Sequence, residues 1–247
     1  MYYEIVGTNV RLLGSLHRWP SDVASSTLPD WVWNAYSWSQ QLYLEHDTSN
    51  IQRFARITNG PSLQHRLPAS IWDRLRAKFP PTANIAPFKP WVVLMELRKM
   101  GITTVEGVET QLTSRARADS KKIVYLESVA EFMDVADKVS DADWVQVFTV
   151  ALDEFDRLQQ AMREMYPTWI TRDVAKVEAL DAKMRNANPT IAKLIMEDRN
   201  LAWLPRIKAT LHTPIRTLIV VGAAHLTTAA SLLALLSHAG YAVQLVD

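Results

Sequence analysis

An α/β fold with parallel strands is what this 247-residue chain predicts, on three observations. Its two ends are rich in short apolar runs stopped by glycine. Its middle carries the spacing of amphipathic helices. Two of the apolar runs, more than 200 residues apart, close on the same signature: Val10-Arg11-Leu12-Leu13 runs into Gly14-Ser15-Leu16-His17, and Leu218-Ile219-Val220-Val221 into Gly222-Ala223-Ala224-His225. A short apolar run ended by glycine reads as a buried strand leading into a tight turn. Both histidines then lie just past the carboxyl end of a strand, where open α/β sheets hold ligands.

The elements follow in order. Residues 3–13 suit a hairpin about Gly7-Thr8-Asn9. Pro29 to Gln41 reads as a helix opening after Pro29-Asp30, and Leu42 to Asp47 as the next strand. Four prolines between Pro80 and Pro90 mark a loop. Trp91 to Met100 fits a helix closed by Gly101. Lys122 to Glu127 is a third strand, and Ser128 is placed to cap a helix running to about Val139. Trp144, Phe148, Ala151, Phe155, Leu158, Met162 and Met165 recur at alternating spacings of four and three, the mark of one amphipathic helix of about six turns bounded by Pro167. Such an aromatic stripe is core packing. Helices at about 170–186 and 190–209 come next, the latter with Pro189 in its first turn. Then come a strand at 217–221 after Pro214, a helix at 227–238 capped by Gly240, and a last strand at 241–246. The strands near 10–13, 42–45, 122–126 and 217–221 should share one sheet, residues 128–212 should be mostly helical, and the whole, 1–247, should form one domain.

Composition narrows the function. Lys and Arg number 27 against 26 Asp and Glu, so no excess of positive charge points to nucleic acid. The absence of cysteine restricts any metal site to His, Asp and Glu. No apolar run approaches the ~20 residues of a membrane span, which predicts a soluble chain without an integral membrane segment. Its start shows no signal peptide, as expected for a cytoplasmic protein or for an exported one already trimmed.

The polar residues collect at strand ends: His17, Glu45, Glu127 and His225 each follow an apolar run directly, with Asp47 just beyond Glu45. Parallel strands joined by helical crossovers bring their carboxyl ends to one rim. Two imidazoles and one or two carboxylates meeting there match a hydrolytic metal site with one position left for water. Without metal, the same groups offer a His or Glu base. Each residue alone also has a plain reading: a hydrogen-bonded turn histidine, a solvated strand end, or an acid near a helix N-terminus. His46, His65, His212 and His238 lack a comparable placement and read as structural or surface residues.

Gly14-Ser15-Leu16-His17-Arg18-Trp19-Pro20, Glu45 after a strand, Lys89-Pro90-Trp91, Gly107-Val108-Glu109, Leu126-Glu127-Ser128, Asp198-Arg199-Asn200 with Trp203, Val221-Gly222-Ala223-Ala224-His225-Leu226 and Gly240-Tyr241-Ala242-Val243 occur in an order that resembles the TraB/PrgY/GumN family over nearly the whole chain. That family is grouped with the TIKI proteases and, more remotely, with erythromycin esterases and haem-binding ChaN proteins. The resemblance implies a mixed, largely parallel central sheet flanked by helices, with an inserted helical region at about 128–212. It also implies metal-dependent peptide hydrolysis where the site is intact, and peptide sequestration in some members. His17 and His225 become the motif histidines, Glu45 and Glu127 the strand-end acids, and Arg199 the motif arginine. Two function classes stand. One is a metallohydrolase with Mn²⁺, Co²⁺ or Zn²⁺ on His17, His225 and Glu45, acting on a peptide or small-molecule substrate, with Glu45, Glu127 and Arg199 as catalytic groups. The other is a catalytically silent protein that binds a peptide or haem at the same rim. Arg199 suits two roles equally: donor to a substrate oxygen, or partner of a strand-end acid. One departure stands out. After His225-Leu226 the family carries a glycine, an acid and a further glycine, where this chain has Thr228, Ala229 and Ser231.

Overall fold

In the computed structural model, residues 1–186, 189–228 and 230–246 are described. Six strands form the main sheet: β1 (Tyr2–Ile5), β2 (Val10–Ser15), β4 (Gln41–Leu44), β6 (Lys122–Tyr125), β7 (Thr217–Gly222) and β8 (Val243–Leu245), in the order β6-β4-β7-β2-β1-β8. β6, β4, β7 and β2 run parallel, while β1 is antiparallel to both of its neighbours. The fold is therefore α/β, with a mixed, mostly parallel sheet flanked by helices. A small antiparallel pair, β3 (Arg18–Pro20) with β5 (Thr104–Glu106), stands apart from it.

Local chemistry explains most boundaries. The first hairpin turns at Gly7, whose φ of +77° suits glycine, and Tyr2 faces Leu13 across it. β7 lies between β4 and β2, and its Leu218, Ile219, Val220 and Val221 are all fully buried, as a central parallel strand requires. Pro90 opens the helix Pro90–Lys99, and Gly101 follows it at φ +74°. Ser128 and Glu131 form a capping box on the helix Val129–Asp137.

Three expected helices differ in detail. The stripe from Trp144 to Met165 is not one helix: it divides at Glu154 into Asp141–Asp153 and Phe155–Ile170, and Pro167 lies inside the second rather than bounding it. The change of core comes later, within the second helix, since Phe155 and Leu158 still pack with the first helix's cluster and Met165 with the other. Trp144, Phe148 and Ala151 pack with Leu63, Leu75, Val93 and Leu97, whereas Tyr166 and Trp169 pack on the sheet with Leu12, Leu42 and Ile219. The helix expected at 190–209 begins at Pro189 but contains a π turn, Lys193–Glu197, before the α-helix Asp198–Thr210. The helix expected at 227–238 is replaced by a 3₁₀ turn, Ala223–Leu226, and a shorter helix, Leu232–His238. Ser231 sets that later start, because its hydroxyl caps the N–H of Ala234.

The parallel register brings both Gly-x-x-His turns to one rim. Gly14 lies opposite Val221 and Ser15 opposite Gly222. Leu44 is aligned with Val220 and Tyr125, so Glu45 and Glu127 leave the sheet beside them.

Candidate active site at the strand ends

Glycine allows the elements at this rim to approach closely. A Cβ on Gly14 would come within 3.0 Å of Leu226 Cδ1 and 3.3 Å of Ala223 Cα, so the first turn packs directly on the second. A Cβ on Gly222 would meet His17 Nε2 at 3.1 Å and Glu45 Oε1 at 3.4 Å, so both groups occupy the space that glycine leaves. A Cβ on Gly107 would lie 2.1 Å from the Leu16 carbonyl oxygen. The helix Val108–Ala118 therefore starts against the first turn, its Val108 N–H donating to that carbonyl at 3.0 Å, and delivers Glu109 to the site.

His17 and His225 stand in contrasting surroundings. The His17 side chain is 61% exposed, and its Nδ1 lies 2.9 Å from Glu109 Oε1. The Ser15 hydroxyl donates to the same oxygen, while Glu109 Oε2 is buried without a hydrogen-bond partner. The Glu109 carboxylate, through its charge and its hydrogen bond and aided by Glu45, draws the imidazole pKa of His17 up to about 9. His225 is buried. Its Nδ1 lies 2.7 Å from Asn200 Oδ1, its Nε2 lies 3.7 Å from Glu45 Oε1, and its ring packs 4.5 Å from that of Trp203. Burial pushes its pKa down to about 3, helped by Arg199 and outweighing the pull of Glu45.

The buried acids converge on Arg199. Glu45 accepts the Gly222 N–H on Oε1 at 2.7 Å and Arg199 Nη2 on Oε2 at 2.7 Å. Glu127 Oε1 accepts Arg199 Nη2 at 2.6 Å and faces His46 Nδ1 at 3.2 Å, and its Oε2 accepts the Trp203 indole N–H at 3.1 Å. Arg199 Nε adds bonds to both Glu127 oxygens, and Nη1 reaches the Ile195 carbonyl and His225 Nε2. Every N–H of the guanidinium thus has a protein acceptor, and its faces are covered by Phe132 and Trp203 at 4.9 and 4.6 Å. The Ile195 carbonyl belongs to the π turn, which carries the chain into Arg199. Burial would raise the Glu45 carboxyl, but His225, Arg199, His17 and the Gly222 N–H together hold it well below the usual range. Glu127 is lowered in the same way: burial is overcome by His46 and Arg199. Of the two roles open to Arg199, these contacts describe the partner of the strand-end acids.

Glu45, Glu127, Arg199 and His225 thus meet in direct contact, and His17 reaches Glu45 across Gly222. Asp47 turns away and caps the 3₁₀ turn Thr48–Phe54 by accepting the Ser49 N–H at 2.9 Å. Four contributors carry no role in the reading of the sequence: Glu109, Asn200, Trp203 and His46. The first three lie inside the quoted motifs, so their positions were visible though their roles were not. His46 stacks on Phe132 at 4.6 Å, and only its place next to Glu45 could have singled it out. Thr228 and Ser231 stand at the departures from the family pattern. No non-glycine residue between 222 and 228, or from 230 to 231, has a positive φ, and the Ser231 N–H bonds to the Thr228 carbonyl at 3.0 Å. The described part of this turn therefore closes without glycine; Ala229 lies outside the described residues.

Two groups of side chains could each hold a cation. His17, Glu45 and Glu109 place one donor atom each within 4.8 Å of one another, and so do Glu45, His46 and Glu127; His225 belongs to neither group, although its Nε2 lies 3.7 Å from Glu45 Oε1. In the second group the Arg199 guanidinium already bridges the two acids. No helix among the described residues is long and apolar enough to cross a membrane.

No curated protein and no solved structure matches the chain. The sequence pattern of the TraB/PrgY/gumN family matches residues 4–245, nearly its full length, and on that match the chain belongs to the TraB/PrgY/gumN family.

Proposed function

We propose that this chain is a metal-dependent, peptidase-like hydrolase whose divalent ion is held by His17, Glu45 and His225. One observation carries the reading. His225 Nε2 lies 3.7 Å from Glu45 Oε1, and His17 Nε2 and Glu45 Oε1 both border the space beside Gly222, while each Nδ1 is engaged by an outer partner, Glu109 for His17 and Asn200 for His225. Histidines that ligate metals are oriented in this way by a carboxylate or carbonyl on the second nitrogen. The donor set fits a hard or borderline cation such as Mn²⁺, Co²⁺ or Zn²⁺. Charge fits as well: the rim holds three carboxylates, Glu45 and Glu127 on Arg199 and Glu109 on His17, against one guanidinium. A dication would neutralise the cluster once His17 gives up its proton.

When bound, such an ion supplies Lewis acidity and lowers the pKa of a coordinated water. The protein's own groups divide the remaining work. Glu127 has both oxygens engaged by Arg199, His46 and Trp203, so it fixes Arg199 rather than taking up a proton. Arg199 in turn fixes the Oε2 side of Glu45 and leaves Oε1 toward the imidazoles. The oxygen left to accept a proton from an attacking water is Glu109 Oε2, buried and unpaired beside His17.

The test is cleavage of a broad peptide library, followed by mass spectrometry with Mn²⁺, Co²⁺ or Zn²⁺ supplied, alongside the metal content of the protein. Wild type should cleave only with metal. His17→Ala and His225→Ala should lose metal uptake. Glu109→Gln should keep metal and lose about 10²–10⁴-fold in turnover. Full metal occupancy in His17→Ala would overturn the ligand assignment. No metal-dependent cleavage by wild type would leave the rim as a binding surface for peptides.

A further inference from the structure

Asn200 is fully buried, one residue after Arg199 in the helix Asp198–Thr210, and its amide makes three bonds to one segment. Nδ2 donates to the His225 carbonyl at 3.3 Å and to the Ala230 carbonyl at 2.9 Å, and Oδ1 lies 2.7 Å from His225 Nδ1. Carbonyl oxygens only accept, so the two Nδ2 bonds determine which end of the amide is nitrogen. Its remaining atom is an acceptor, and the His225 nitrogen that faces it must carry the proton. Nε2 is then the bare lone pair, and it accepts from Arg199 Nη1 at 3.3 Å on the side that faces Glu45.

We propose that Asn200 is the positioning residue of the site, holding His225 as the Nδ1–H tautomer and tying that ring to the backbone of the turn at 225 and 230. The assignment rests on the hydrolase reading for its purpose but not for its test. Neutral imidazole in water prefers the other tautomer, Nε2–H, which has no lone pair to offer at Nε2. An acceptor at Nδ1 reverses that preference. The two amide donors serve a second end: they brace a turn in which Thr228 and Ser231 stand where the family carries glycine. Arg199 Nη1 favours the same tautomer from the far side of the ring by donating to Nε2, and Asn200 supplies the acceptor at Nδ1.

The experiment is ¹⁵N NMR of the His225 imidazole in metal-free protein, where the two tautomers give separate nitrogen shifts. Wild type should show protonated Nδ1 and bare Nε2. Asn200→Asp keeps an oxygen before Nδ1 and should keep that pattern, while Asn200→Ala should shift the ring toward Nε2–H. Both variants lose the donors to the turn, so the oxygen alone separates them. Metal affinity measured by titration should drop 10–100-fold in Asn200→Ala, the usual loss for an outer-shell partner, and by less in Asn200→Asp. Should Asn200→Ala fail to fold, the wild-type and Asn200→Asp spectra still decide: Nε2–H in either overturns the proposal. An unchanged Nδ1–H pattern in a folded Asn200→Ala overturns it too. A protein that passes these tests yet cleaves no peptide would fail the hydrolase reading alone.

Discussion

The two Gly-x-x-His turns share a signature and leave neighbouring parallel strands, yet their histidines occupy opposite electrostatic states. His17 projects into a half-open rim against a carboxylate, and its pKa rises to about 9. His225 is sealed under Trp203 against an amide, and its pKa falls to about 3. Near neutral pH one ring carries a proton and the other does not. The motif determines where along the strand each imidazole emerges. Burial and the outer partner, both supplied by distant helices, determine what each can do there.

The largest break in this comparison should come from removing the guanidinium that stands between His225 and the acids. Arg199→Met strands Glu45 and Glu127 as buried, unpaired carboxylates, and loss of one partner from a buried ion pair costs about 3–5 kcal/mol. Urea denaturation at pH 7 should show a loss of that size. Adding Glu127→Gln, which removes one of the stranded charges, should return part of it. A single variant as stable as wild type would mean that the network is not what holds the helix Asp198–Thr210 on the sheet.

Next in size is the response to pH, where the two histidines should govern opposite limbs. The folded pKa of His225 is depressed, so its contribution is present above the unfolded value of about 6.5 and is lost as pH falls toward about 3. One such group gives a slope of at most about 1.4 kcal/mol per pH unit. Between pH 6.5 and 4.5, above the range where the lowered Glu45 and Glu127 carboxyls add their own loss, His225→Gln should flatten the curve. The folded pKa of His17 is elevated, so its contribution is present below about 6.5 and disappears as pH rises through about 9. That side chain is largely exposed, and the alkaline limb should amount to no more than ~1 kcal/mol. Glu109→Gln should bring the His17 midpoint, followed by NMR, back toward about 6.5 and leave the acid limb unchanged. A His17 midpoint that stays near 9 would break the assignment of its shift to Glu109.

A last contrast should separate the glycines of the two turns. Gly222→Ala sets a methyl against His17 Nε2 and Glu45 Oε1, polar groups at the mouth of the site. Gly14→Ala sets one against Leu226, Met1 and Ala223, which are core. Overpacking of a tight core costs about 1–3 kcal/mol. Thermal unfolding should therefore place Gly14→Ala in that range and Gly222→Ala below it, while metal titration should show the reverse order of damage. Equal losses in both measurements would mean that Gly222 is packing and nothing more.

Much of this architecture was legible in order along the chain. Leu218 to Val221 read as a buried strand because a central parallel strand has no polar face, and Gly14, Glu45 and Glu127 fell where the strands end. What escaped depended on distant neighbours. The stripe from Trp144 to Met165 keeps helical period through Glu154, and nothing local announces the break there or the change of cluster between Leu158 and Met165. The π turn at 193–197, whose Ile195 carbonyl accepts Arg199 Nη1, has no local signature, and the late start of the helix Leu232–His238 follows from the Ser231 cap. His46 read as a bystander because its partners, Glu127 and Phe132, are 81 and 86 positions away.

By itself, the order of residues determined the strands of the main sheet, the glycine turns, the family and the rim where polar groups must gather, because periodicity and glycine act within a few residues; the small pair β3 and β5 escaped it. Only the tertiary structure decided that Glu109 would meet one histidine and Asn200 the other, and that Arg199 would be spent on Glu45 and Glu127. Protonation state and ligand capacity depend on burial and on charges a few ångströms off, and those distances exist only once segments nearly 200 residues apart have packed together.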